Sequence, residues 1–111
     1  MRIGIDLRMR DNQSAGIGRY AFELLKAMLD LHTDHTFVVF YNQNHILQQD
    51  LDKLHQYKQV ELVPTQIRHY SWQEQTLFLK VLKKHPVDVM HFPNFNVPIW
   101  YRGPYVVTVH D

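Results

Sequence analysis

Ile3-Gly4-Ile5-Asp6-Leu7, followed by Ile17-Gly18-Arg19-Tyr20-Ala21-Phe22-Glu23-Leu24-Leu25, is the stretch that decides the fold. The first run is short, β-branched and closed by the polar Arg8 to Ser14, which is the pattern of a strand. From Ile17 the period changes. Tyr20, Ala21, Leu24, Leu25, Met28 and Leu29 form one apolar stripe at helical spacing. Ser14 is placed to cap that helix, and Gly16 and Gly18 fall in its first turn.

Working outward, the same alternation repeats. Thr36-Phe37-Val38-Val39-Phe40-Tyr41 is continuously apolar after Thr36, as expected of a strand buried on both faces. Ile46, Leu47, Leu51, Leu54 and Tyr57 indicate a weaker helix. Val60-Glu61-Leu62-Val63 reads as a third strand stopped by Pro64. Ser71 and Glu74 have capping-box spacing and open a third helix. Its apolar side carries Trp72, Phe78, Leu79, Val81 and Leu82. Lys80, Lys83 and Lys84 enrich its C-terminal half, where cations suit the helix dipole, and Pro86 ends it. Val87 to Phe92 is a fourth strand and Tyr105 to Val109 a fifth, joined by a loop rich in Pro and Asn.

Strands alternating with helices imply an α/β fold with a parallel sheet. The expected architecture is a Rossmann-like three-layer sheet in the order 3-2-1-4-5. Two crossover helices should cover one face and the third helix the other. Strands 4 and 5 connect without a helix, so the edge of strand 5 and part of an apolar face should lie bare, and the isolated piece should self-associate.

Composition narrows the functional classes. The chain has 111 residues, 45% of them hydrophobic and 21% charged. It is neither low-complexity nor disordered in composition. Twelve Lys and Arg against eleven Asp and Glu leave a net charge of +1, which argues against a nucleic-acid partner by bulk charge. There is no Cys, so disulfides and thiolate metal sites are excluded and a reducing cytoplasm fits. No apolar run approaches the roughly 18 residues of a membrane span, and no signal-peptide pattern opens the chain. His32 and His35 lack the carboxylates or Cys that would complete a metal site, so no metal is expected.

Ligands of such sheets bind beyond the carboxyl ends of the strands. The segments after strands 1, 4 and 5 are therefore the candidates. Ala15-Gly16-Ile17-Gly18 joins a strand to a helix N-terminus, where free N–H groups and the dipole favour an anion. It reads equally as a tight strand-to-helix turn with close helix packing, since neither the full dinucleotide fingerprint nor a P-loop is present. Arg8, Arg10 and Arg19 flank it and could fork onto a phosphate; for Arg10 solvated surface charge is the preferred reading. Asp6 either accepts a ligand hydroxyl or fixes Arg8 and the loop backbone. His91 reads as a packed, hydrogen-bonded residue. Asn94, Phe95 and Asn96 can meet a ligand on the loop after strand 4. Trp72 is expected in the core, while Phe95, Trp100 and Tyr101 fit either core or rim. His110-Asp111 ends strand 5, where a His can donate to a phosphate or sugar hydroxyl.

Taken in order, these pieces resemble the start of a retaining glycosyltransferase of family 4. Ile3-Gly4-Ile5-Asp6-Leu7-Arg8 and Gly16-Ile17-Gly18-Arg19-Tyr20 with Glu23-Leu24-Leu25 carry the first part. Trp72-Gln73-Glu74-Gln75, Asp88-Val89-Met90-His91-Phe92-Pro93 and Asn96-Val97-Pro98 continue it, and Pro104 to Asp111 closes it. The resemblance spans essentially the whole chain and is nearest to mannosyl- or rhamnosyltransferases of surface-polysaccharide assembly.

It implies a GT-B fold, of which residues 1–111 would be a partial N-terminal, acceptor-side domain without the C-terminal donor-binding domain. The glycine loop, at Gly16 and Gly18, would approach the donor diphosphate, although Ala15 stands where many relatives carry glycine. Arg19, Asn94, Asn96 and Asp111 complete the expected substrate and phosphate contacts. His110 is the catalytic candidate, near the transferred sugar and acceptor. It is not assigned as a base, because the front-face retaining mechanism needs none. The implied partners are a nucleoside diphosphate sugar and a saccharide acceptor, with no cofactor. The longer protein would be cytoplasmic, with peripheral association at the inner face of the membrane, and the piece alone would be inactive. A non-catalytic α/β binding or interaction module is the alternative, since fold does not fix function. A flavodoxin-like receiver fits less well, because no acidic pair follows strand 1.

Overall fold

The computed structural model describes residues 1–10, 16–31, 33–67, 72–94 and 97–109. Five strands form one parallel sheet in the order β3-β2-β1-β4-β5, which is a Rossmann-like α/β arrangement. The elements are β1 (Arg2–Asp6), α1 (Gly16–Asp30), β2 (Thr36–Asn42), α2 (Gln48–His55), β3 (Val60–Thr65), α3 (Trp72–Lys84), β4 (Val89–Phe92) and β5 (Tyr105–Val107). The expected strand order and helix count are therefore observed.

The apolar run of β2 divides between two cores. Side chains alternate across a strand, so Phe37, Val39 and Tyr41 face one side and Val38 and Phe40 the other. The first side packs on Ala21, Phe22, Leu25 and Leu29 of α1 and on Leu54 of α2. The second packs on Phe78 and Leu82 of α3, with Met90 and Phe92 of β4. Two helices on one face and one on the other is the layering the connections imply. Each such buried side chain contributes about 1.5–3 kcal/mol relative to an exposed one.

The α1 stripe differs from expectation at two positions. Phe22 is buried in the core, whereas Tyr20 is exposed at the outer part of the first turn. The buried face is therefore centred on Ala21, Leu25 and Leu29, with Phe22 rather than Tyr20 beside them.

Pro64 does not stop β3. It lies within the strand, paired in register with Tyr41. β3 is the outer strand, hydrogen-bonded to β2 alone, so a residue without an N–H can face the open edge at no cost to the ladder. β5 is shorter than expected and ends at Val107. Its three residues are all exposed. Residues 97–104 replace a crossover helix: Tyr101 packs edge-on against Phe92 and Tyr105, with ring centroids 5.5 and 6.1 Å away. No helix among the described residues is long and apolar enough to cross a membrane.

Candidate functional site

The carboxyl edge of the sheet is built around β1 and β4, which are neighbours. α1, which follows β1, packs on one face of the sheet, and Val97 and Tyr101, which follow β4, pack on the other; ligands of doubly wound sheets bind beside such a switch point.

Several charged residues near this edge are committed to the fold. Asp6 is buried and accepts from Arg8 at three points: from the backbone N–H at 3.1 Å, from Nε at 2.8 Å and from a terminal nitrogen at 2.7 Å. The open alternatives for Asp6 thus resolve to the structural one, with Arg8 and the loop backbone as its partners. Arg8 is itself 1% exposed, and its guanidinium stacks on the Phe78 ring at 3.6 Å. This pair joins the end of β1 to α3, and a buried charge of this kind requires such a partner.

Arg10 is a correction to the sequence reading. Its side chain is mostly buried rather than solvated; it donates to Asp50 at 2.9 Å and lies over Phe22 at 4.6 Å. Asp50 is 1% exposed and sits in the first turn of α2, so the pair ties the loop after β1 to the second helix. The signal was available only as an acid in a first turn, forty residues away in sequence.

The two glycines separate in role. A Cβ on Gly18 would stand 2.3 Å from the Met9 carbonyl oxygen, so this position needs glycine for the close passage of α1 over the loop. Gly16 is exposed, and a Cβ there would meet nothing within 4 Å. It opens the N-terminus of α1, where the first N–H groups have no intrahelical acceptors. Arg19 is exposed beside it. Asn94 is buried, with its amide nitrogen 3.9 Å from Met9 Sδ. Met9 is thus a common support for the segments after β1 and β4.

The segment after β5 arrives at the same place through Thr108. Its hydroxyl lies 3.0 Å from His91 Nε2 and 3.2 Å from the Tyr20 hydroxyl. The Tyr20 and His91 rings also meet edge-on at 6.5 Å. His91 is packed and hydrogen-bonded as expected, and burial lowers its pKa, favouring the neutral ring. One hydroxyl therefore bridges a helix N-terminal turn, β4 and the end of β5. Neither Tyr20 nor Thr108 was singled out from sequence: Tyr20 looked like a core position in the stripe, and Thr108 like any strand threonine. The arrangement offers hydroxyl donors and acceptors beside a helix terminus, which is chemistry suited to a polar, anionic ligand.

Ser14, Ala15, His32, Ser71, Phe95, Asn96, His110 and Asp111, and the side chains of Trp72 and Glu74, lie outside the described residues. Among the described residues, no group of three His, Asp or Glu could hold a metal ion. Compared with protein-family models, curated proteins and solved structures, the chain matches none of them.

Proposed function

We propose that this chain is the acceptor-side unit of a cytoplasmic retaining glycosyltransferase. The transferred group would be a mannose-like hexose, passed from a nucleoside diphosphate sugar to a saccharide or lipid-linked saccharide. Two lines support this reading. The first is the ordered motif series from Ile3 to Asp111, which resembles that family. The second is spatial and carries the most weight. Thr108 hydrogen-bonds to both Tyr20 and His91, so α1, β4 and the segment after β5, each bearing part of the motif series, meet at one edge.

In this reading the N-terminus of α1, which begins at Gly16, attracts the diphosphate through its first N–H groups and the positive end of the dipole. Gly18 lets the helix pass close to the Met9 carbonyl. The hydroxyls of Tyr20 and Thr108 orient sugar hydroxyls, and His91 keeps Thr108 in position as a neutral ring. His110 follows Thr108 by two residues and is the candidate for the reacting centre.

The test is a transfer assay with the protein encoded by the full reading frame and a panel of nucleoside diphosphate sugars. Transfer with retention is expected for one donor. His110→Ala should lower turnover, and Tyr20→Phe should raise the acceptor KM. Specific ligand binding without transfer or donor hydrolysis by any panel member would replace this reading with a binding module.

A further inference from the structure

A groove runs between α3 and the turn that precedes β5, away from the carboxyl-edge cluster. Lys83 is in the last turn of α3, and Arg102 and Gly103 come just before β5 begins at Tyr105. The groove therefore opens at the amino end of β5, whereas Thr108 follows its carboxyl end. It holds about 340 Å³ and is lined by Leu79, Lys83, Trp100, Tyr101, Arg102 and Gly103. Small-molecule sites occupy roughly 300–1,000 Å³, so this one suits a small ligand.

The fold fixes its walls. Tyr101 N–H donates to the Pro98 carbonyl and Met90 N–H to the Pro104 carbonyl, both at 3.0 Å. Ile99 N–H donates to the Gln75 side chain of α3 at 2.8 Å. The turn is thus tied to β4 at one end and to α3 at the other. The Tyr101 ring packs edge-on against Phe92 and Tyr105. A Cβ on Gly103 would stand 2.7 Å from the Tyr101 hydroxyl oxygen, so glycine lets the chain pass the phenol. Burial raises the Tyr101 pKa and keeps the phenol protonated as a donor at neutral pH.

The lining divides into a part suited to a ring and a part suited to an anion. Trp100 is 61% exposed, so its indole is open to a stacking partner, and Leu79 adds an apolar side. Lys83 and Arg102 supply two cations to the same groove, and their mutual repulsion falls when an anion sits between them. Among the described residues no acid lines the groove. Glu74 stands nine residues before Lys83, about 14 Å away along the helix axis. Asp88 accepts from the Arg2 backbone N–H at 2.6 Å. Ile99, although 76% exposed, is not part of the lining.

We infer that this groove is a binding site for a small aromatic anion, a planar ring bearing a phosphate or a carboxylate. The ring stacks on Trp100 beside Leu79, and Lys83 and Arg102 meet the charge. The site is independent of the transferase reading, which uses the opposite end of the sheet.

The experiment is calorimetric titration of the 111-residue chain, with amide chemical-shift mapping of each complex. The probes are adenosine monophosphate, set against adenosine and inorganic phosphate, and naphthoate, set against naphthamide and acetate. At least one ring-plus-anion probe should bind about tenfold more tightly than either of its halves. Binding of the nucleotide alone assigns a phosphate ligand, and binding of naphthoate alone a carboxylate. Trp100→Ala should weaken binding about tenfold through lost stacking. Lys83→Gln and Arg102→Gln should each weaken it about tenfold through a lost charge-assisted hydrogen bond. All three side chains are exposed, so these variants should keep the wild-type melting point. Ile99→Ser should bind as the wild type does. No probe exceeding its halves would overturn the inference. So would shifts centred on Gly16 to Tyr20, which would belong to the proposed transfer site instead. Equal weakening by Ile99→Ser and Trp100→Ala would assign the surface to a larger partner lying across the lip, and would overturn it too.

Discussion

The two halves of the sheet differ more than their sequences do. β2 and β5 each carry two valines beside aromatic side chains, three in β2 and one in β5. Yet six of the seven residues of β2 are buried, while all three of β5 are exposed. The difference comes from connections rather than composition. α1 and α2, which join β1 to β2 and β2 to β3, cover one face of β2, and α3, which joins β3 to β4, covers the other, so both faces of β2 meet helical side chains. β4 and β5 are joined by a turn whose one large anchor is Tyr101. A crossover helix does more than link strands: it supplies the second surface that makes strand burial worthwhile.

That contrast can be broken at its strongest point first. Arg8→Ala leaves the Asp6 carboxylate buried without its guanidinium and removes the stack on Phe78. The expected loss is about 3–5 kcal/mol in urea unfolding. A loss under one-third of that range would mean Asp6 finds water on unfolding of the loop alone. The next test uses one chemistry in both halves. Val39→Ala, at 0% exposure, should cost about 2 kcal/mol through lost methyl burial and a cavity. Val106→Ala, at 58% exposure, should stay within about 0.5 kcal/mol. Equal effects would show that β5 is covered in solution.

A smaller effect comes from His91, at the boundary between the halves. Burial lowers its folded pKa below the ordinary value near 6.5. The unfolded chain therefore takes up this proton first as pH falls. Stability tied to the neutral ring is fully present above about pH 6.5 and is lost as pH falls through the lowered folded pKa. His91→Gln should flatten that part of the pH–stability curve, measured by thermal unfolding between pH 7 and roughly 5.

The smallest effect on stability, and a clear one on association, is expected at the open edge. Thr108 N–H donates to the Phe92 carbonyl and the Pro104 carbonyl accepts from Met90. By alternation along the ladder, the Val107 N–H faces away from β4. The chain is expected to pair β5 with a second copy at high concentration. Val107→Pro removes the outward donor and should shift sedimentation towards monomer while leaving unfolding nearly unchanged.

Much of this fold was legible in the sequence. Period-2 and period-3.6 apolar patterns mark surfaces that must be buried, and they placed every strand and helix near its observed position. The strand order followed from reading alternating strands and helices as a doubly wound parallel sheet. The functional edge was legible only in outline. Gly16 and Gly18 looked alike, and only the 2.3 Å approach to the Met9 carbonyl separates packing from openness. Arg10 looked solvated because its partner, Asp50, lies on another element.

By itself, then, the sequence determined the layering, the strand order and the bare edge, because local periodicity and connection length report directly on which surfaces seek cover. Only the tertiary structure decided which polar groups are spent on ion pairs within the fold and which gather at the carboxyl edge of the sheet. Asp6, Arg8 and Arg10 are taken up by ion pairs, while Tyr20, His91 and Thr108 meet at the carboxyl edge. Those assignments depend on contacts between residues up to 88 positions apart, and no local pattern encodes such a distance.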